Sequence, residues 1–160
     1  MGSTSDLPVM EKACKWLDDN EIPFEVNALS AHRTPDAVEA FAKGAQERGI
    51  KVIIAAAGMA AALPGVLAAS TNLPVIGVPI KGMLDGLDAM LSIIQMPPGI
   101  PTATVGVNAA QNAAILAAQI IGLSDSAVAA KVAAHKAGLG AKIEKANKDL
   151  AEVKYNFKTN

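Results

Sequence analysis

Two short runs, KVIIAAAG at residues 51–58 and LPVIGVPI at 73–80, are apolar without alternation, and this pattern restricts the fold more than any other feature of the chain. A strand with one wet face alternates polar and apolar side chains. A strand that is apolar throughout is covered on both faces, as in a parallel sheet held between two layers of helices. The flanking segments agree. Leu7, Met10, Ala13, Cys14 and Leu17 recur at helical spacing, with Ser5 or Asp6 as candidate caps and Pro8 in the first turn. PFEVNALS alternates, with Phe24, Val26 and Ala28 on one side, and is expected to be a strand, after which DAVEAFAKGAQERG resumes a helical pattern. A small-residue helix is expected over 60–71, a helix over GLDAMLSIIQM, and a short last strand at TATVGV. The repeated alternation predicts an α/β fold, a flavodoxin-like parallel sheet inside a three-layer α/β/α sandwich.

The run NAAQNAAILAAQIIG, 108–122, is apolar on nearly every face of a helix, which predicts burial. Residues 125–154 place Lys and Glu at helical intervals on an alanine-rich background, which predicts a long C-terminal helix, with a break at Gly138 and Gly140 as the alternative. The 160 residues fit a single domain spanning 1–160, and with 51% apolar but only 3% aromatic residues its core must be built from small aliphatic side chains.

Charge and cysteine content narrow the partners. Lysine plus arginine total 14 against 15 acidic residues, so no positive field favours a nucleic-acid backbone or an anionic membrane. The apolar stretch from Val52 to Thr71 is divided by Gly58, Pro64 and Gly65 into pieces shorter than a membrane span. The single cysteine, Cys14, cannot form an internal disulfide, and the N-terminus has no signal-like leader, so a cytoplasmic setting and a small-molecule or protein partner are expected.

In an open parallel sheet, ligands lie beyond the carboxyl ends of the strands. That rule selects GSTSD (2–6), SAHRTP (30–35), AAGMAAALPG (56–65), the Lys81–Leu84 region and QMPPGIP (95–101). GSTSD offers the hydroxyls of Ser3 and Ser5 and the carboxylate of Asp6 at a helix start, where free amides attract an anion; the alternative is that Ser5 and Asp6 are ordinary caps. SAHRTP combines an arginine able to fork onto a phosphate, a serine hydroxyl, and an imidazole of the kind that ordinarily titrates at about 6.5; the alternative is a solvated loop. His135 is expected on a solvated surface. The chain contains no metal-ligand spacing, no nucleophile-elbow sequence and no dinucleotide fingerprint.

Taken together, MGSTSD, SAHRTP, VIIAAAG, LPG, PVIGVP, GLDAMLSIIQMPPGIP and NAAILAAQI resemble, in order and spacing, the class I N5-carboxyaminoimidazole ribonucleotide mutases, also called the phosphoribosylaminoimidazole carboxylase catalytic subunit. The resemblance covers essentially the whole chain. It implies a homo-octamer that turns N5-carboxyaminoimidazole ribonucleotide into 4-carboxy-5-aminoimidazole ribonucleotide with no metal or organic cofactor. Carried over by motif, His32 becomes the general acid and base. Ser3, Ser30 and Arg33 contact the phosphate and Asp6 the ribose, with backbone groups at Ala57 and Gly58 holding the carboxylate and base. Ser5, Ala31, Ala62 and Leu63 complete the substrate-binding set, and the 95–101 loop closes the pocket.

The sequence departs from the family at two points. The family reads AAHLPG where this chain reads AAALPG, so Ala62 stands in place of a histidine; this raises the alternative of an impaired or inactive nucleotide-binding oligomer. The family also carries a strand of about six to eight residues before MGSTSD; truncation or an unrecorded leader would account for its absence here, and without it the central sheet position is expected to be vacant. The remaining alternative is direct carboxylation of aminoimidazole ribonucleotide by free carbon dioxide, as in the related class II enzymes.

Overall fold

The computed structural model describes residues 1–160. β1 (Ile53–Gly58) and β2 (Val75–Ile80) pair in parallel with Ile53 opposite Val75 and Gly58 opposite Ile80, and β3 (Ala103–Thr104) continues the sheet beside β2. Every residue of β2 is buried, as its unbroken apolar run requires. Alternate residues serve two layers. Ala56, Ile76, Val78 and Ile80 pack with α1 (Leu7–Asp19) and α5 (Ala110–Gly122), while Ile53, Ala55, Ala57 and Val75 pack with α2 (Pro35–Ala45), α3 (Leu63–Ser70) and α4 (Leu87–Ile94). The three-layer sandwich is therefore present.

The helix borders follow local chemistry. Pro8, Pro35 and Pro64 lie in first turns, where a missing N–H costs nothing, and Ser3 caps a short 3-10 turn (Thr4–Asp6) that leads into α1. The helix expected over 60–71 is confined to α3, because its entry needs the turn at Met59, whose φ is +53°. Small residues set the spacing between layers. At Gly77 a Cβ would lie 2.3 Å from Ile93 Cγ2, so α4 can approach β2 only because that position has no side chain.

Three expectations need correction. Residues 23–30 run without forming a strand, because a strand is defined by its neighbours and this segment pairs only with Met1. Met1 donates to the Asn27 carbonyl at 2.9 Å, and its own carbonyl accepts from Leu29 N–H at 2.8 Å. Alongside the rest of β1 lies a cavity of about 490 Å³, lined by Met10, Ala13, Leu17, Phe24, Val26 and Ile54 among others. The last strand shrinks from 102–107 to Ala103–Thr104, with one further bond from Val105 N–H to the Gly77 carbonyl at 3.1 Å.

The long C-terminal helix is present as α6, which runs unbroken from Ser126 to Glu152 through Gly138 and Gly140. Each glycine costs a helix only about 1 kcal/mol relative to alanine, too little to break 27 residues. The third correction concerns His135. It is half-buried, and its Nδ1 accepts from Trp16 Nε1 at 3.2 Å with the rings edge to face, which ties α6 to α1. The apolar helix 108–122 is buried along its alanines only: Ala110, Ala113, Ala114, Ala117 and Ala118 face the sheet and α1.

No helix is long and apolar enough to cross a membrane. The contact at Gly77 yields a direct prediction. Gly77→Ala should lower stability by about 1–3 kcal/mol, seen as an earlier urea midpoint, and combining it with Ile93→Ala should cost less than the two single changes summed.

Candidate functional site

Two loops meet at the carboxyl end of β1. Gly2 N–H donates to the Ala56 carbonyl at 3.0 Å, which places the GSTSD turn against the strand. Arg33 ties the second loop to the first: its Nη2 donates to the Gly2 carbonyl at 3.0 Å and its Nε to Ser30 Oγ at 3.2 Å. Ser30 Oγ also accepts from the Arg33 amide at 3.2 Å, and Thr34 Oγ1 accepts from the Ser30 amide at 3.0 Å, so the SAHRTP loop is braced from within. Thr34 and Gly2 lie in the candidate loops, but the sequence assigns neither a role. Their contribution runs through Thr34's own side chain and Gly2's backbone, which residue type alone does not announce.

The GSTSD turn is equally constrained. Ser3 Oγ accepts from the Ser5 amide at 3.3 Å, Asp6 Oδ2 accepts from the Ser3 amide at 3.3 Å, and the two form a reciprocal capping box. Capping therefore belongs to Ser3 and Asp6, while Ser5 donates its hydroxyl to Asp6 Oδ1 at 3.4 Å. Asp6 is buried, yet a carboxylate has about four acceptor directions and these two bonds leave some free.

Electrostatically the site turns on Arg33. The chain has two arginines, and Arg48 is paired with Glu25 at 3.2 Å, whereas Arg33 is held only by neutral oxygens and has no carboxylate within ion-pair distance. An exposed, braced guanidinium without a counter-charge is suited to a bidentate anion such as phosphate. His32 sits beside it, exposed, and takes no part in the loop's internal hydrogen bonds; Ala31 is half-buried beneath.

Opposite lies the turn from β1 to α3. Ala57 is buried, Gly58 ends the strand, and Met59 turns outward at 64% exposure. Ala62 caps α3 without a side-chain acceptor, so the amides of that first turn carry the helix's positive end unshielded by a cap. Leu63 departs from the expected binding set in one respect: it is buried in the core below, so its side chain faces the packing of α3 on β1. Beyond β2, Lys81 N–H donates to Asn108 Oδ1 at 2.9 Å, and Leu84 and Asp85 both adopt positive φ. The 95–101 loop lies elsewhere. Gly99, Ile100 and Pro101 line a hollow with Thr71–Pro74, at the start of β2 and hence the opposite end of the sheet, so this loop does not close the site within one chain. The 490 Å³ cavity likewise contains none of Ser3, Asp6, Ser30, His32 or Arg33, and the site is an open shelf.

The shelf depends on the Met1–Gly2 segment, whose amine is itself strained electrostatically. Desolvation pushes the Met1 amine below its ordinary value near 8.0, only partly opposed by Asp6 and Cys14. Below that lowered value the amine is charged in both states, and the folded chain bears the whole desolvation cost. Between it and about 8.0 the folded chain releases its proton first, so stability should rise with pH. Comparing denaturation midpoints of the free and N-acetylated chains from pH 5 to 9 should show this rise in the free chain only.

Known proteins resemble the chain along most of its length. Residues 1–142 match the family model described as AIR carboxylase. The N5-carboxyaminoimidazole ribonucleotide mutase of Pyrococcus abyssi is 61% identical over 124 residues, covering 77% of this chain and 71% of that protein. The mutase of Thermotoga maritima is 50% identical over 156 residues, 97% of this chain and 91% of that one. Among solved structures, the crystal structure of Treponema denticola PurE superposes with a TM-score of 0.82 at 30% identity, covering 94% of each chain.

Proposed function

The chain belongs to the AIR carboxylase family, and from that membership we propose that it converts N5-carboxyaminoimidazole ribonucleotide to 4-carboxy-5-aminoimidazole ribonucleotide, with His32 carrying the protons. It is an enzyme of the mutase type, and its substrate is a small nucleotide. The observation that carries the site assignment is the unpaired Arg33, braced between Ser30 and Gly2 where the two loops meet, with His32 as its neighbour.

The chemistry asks little of the protein beyond position and one proton carrier. The N5 carbamate breaks its N–C bond, carbon dioxide leaves, and N5 takes a proton. Ring carbon C4 then forms a bond to the same carbon dioxide and gives up its hydrogen as a proton. One proton is delivered and one collected, so a single imidazole donating to N5 and accepting from C4 returns to its starting state. Arg33, Ser30 and Ser3 anchor the phosphate, and a free acceptor position on Asp6 takes a ribose hydroxyl. The backbone at Ala57 and Gly58, with the uncapped start of α3 at Ala62, receives the carboxylate. Carbon dioxide released against this alanine wall stays close to C4, which replaces a bimolecular encounter by proximity.

Ala62 lowers what the site can do. Where the resembling family has an imidazole, this chain offers a methyl group and bare helix amides, so substrate is held by fewer groups and His32 acts alone. His32→Asn should abolish turnover while leaving nucleotide affinity within a few-fold, and Ala62→His should raise turnover by about 100-fold or more, the scale of one positioned proton-transfer group. Both are read by following loss of the N5-carboxylated nucleotide without added bicarbonate. A chain that binds but turns over only as Ala62→His is an impaired member, and activity rising in proportion to bicarbonate with aminoimidazole ribonucleotide would contradict the mutase reading.

The assembly belongs to the same proposal. Leu84, Leu87, Leu91 and Ile94 around α4 and Leu139, Ile143 and Leu150 on α6 are exposed, apolar surface of the kind that a homo-octamer covers. The proposed setting is the cytoplasm.

A further inference from the structure

Thr34 stands at the N-cap of α2 without capping it, and we propose that it is a positioning residue for the anion site. Its hydroxyl locks the Ser30 backbone so that Ser30 Oγ can hold the Arg33 guanidinium, and the loop is left with a face of donors only. This rests on the reading of the shelf as the place of a phosphate, and adds to it a residue that touches no ligand.

A threonine at a helix N-cap ordinarily turns its oxygen onto an amide of the first turn. Thr34 occupies that place before α2, yet no first-turn amide reaches its side chain. The oxygen is turned back instead, accepting from the Ser30 amide at 3.0 Å and donating to the Ser30 carbonyl at 3.2 Å. The Thr34 amide adds a bond to the same carbonyl at 2.8 Å. One residue thus holds both backbone groups of Ser30, and Ala31, His32 and Arg33 are confined to the turn between. The hydroxyl that could have capped α2 is committed to the loop.

The effect is read on Ser30 Oγ. It accepts from the Arg33 amide and from Arg33 Nε, each at 3.2 Å, and two lone pairs are all that a hydroxyl has, so towards a ligand it can only donate. Arg33 commits Nε to Ser30 and one Nη2 proton to the Gly2 carbonyl. Of the five N–H groups of a guanidinium, three therefore stay free. A hydroxyl proton and these three N–H groups on one braced loop, with no acceptor left on either side chain, suit an anion such as phosphate. Were the Ser30 backbone free to turn, its hydroxyl would leave Nε, and the guanidinium on its flexible stem would keep only the Gly2 tether. Thr34 is itself exposed, so losing its hydroxyl opens no cavity in the core.

The test compares Thr34→Val, which keeps the shape and loses the hydroxyl, with Thr34→Ser, which retains it. The chain has two arginines, so proton exchange at each Nε–H can be followed by nitrogen-15 NMR, with Arg48 on Glu25 as the internal reference. Without ligand, the Arg33 Nε–H should exchange about tenfold faster in Thr34→Val, the factor for one lost hydrogen bond, and at the parent rate in Thr34→Ser, with Arg48 unchanged in both. Kd for inorganic phosphate and KM for N5-carboxyaminoimidazole ribonucleotide should each rise about tenfold in the valine variant, with kcat changed by less than about threefold, as when binding remote from the reacting atoms is lost. Serine should hold both constants within about twofold of the parent. The proposal is overturned if valine leaves Arg33 exchange unchanged, or if valine and serine give the same Kd and KM. A parent chain with no turnover would contradict the mutase reading alone, and Arg33 exchange with the phosphate Kd would still decide the role of Thr34.

Discussion

The pairing of β1 with β2 places everything else. Their register puts Gly58 level with Ile80, so both strands deliver their following turns to one end of the sheet, and the polar loops can gather only there. The alternation of β1 side chains sends Ala55 and Ala57 to one helical layer and Ala56 to the other, and their small size lets helices approach closely from both sides. Such a core has almost no tolerance for added volume. Gly77 is the extreme case, since Ile93 fills the space a side chain there would need.

On that frame the site is a matter of tethering. The GSTSD and SAHRTP loops are distant in sequence and each is stabilised internally, one by a capping box and the other by Ser30 and Thr34. Arg33 links them through the Gly2 carbonyl, and Gly2 in turn is fastened to Ala56. A guanidinium held by neutral oxygens keeps its full charge for a ligand. This distinguishes it from Arg48, which is spent on Glu25 and stacks over Phe41 at 5.0 Å.

What could be read in the sequence was whatever depends on local pattern. The doubly covered strands, the amphipathic α1 and the alanine face of 110–118 are periodicities, and periodicity survives folding. Residues 23–30 show the opposite case: Phe24 and Val26 alternate properly, but strand formation needs a partner, and only Met1 is there to pair. The role of His135 was equally out of reach, since its partner Trp16 lies 119 residues away. In the site, His32 and Arg33 stood out by rarity and position, while Gly2 and Thr34 act through a carbonyl and a local bond that no residue count reveals. Family resemblance supplied the expected roles, and with them the expectation of a histidine where this chain has Ala62.

The central claim is that one carbon dioxide molecule leaves N5 and returns to C4 without escaping, with His32 moving the protons. It is tested most directly by turning over substrate labelled with carbon-13 in the N5 carboxylate, in unlabelled bicarbonate, and analysing the product by mass spectrometry. Retention of the label in the C4 carboxylate is the predicted result. Product carrying unlabelled carbon in proportion to the bicarbonate pool would contradict it.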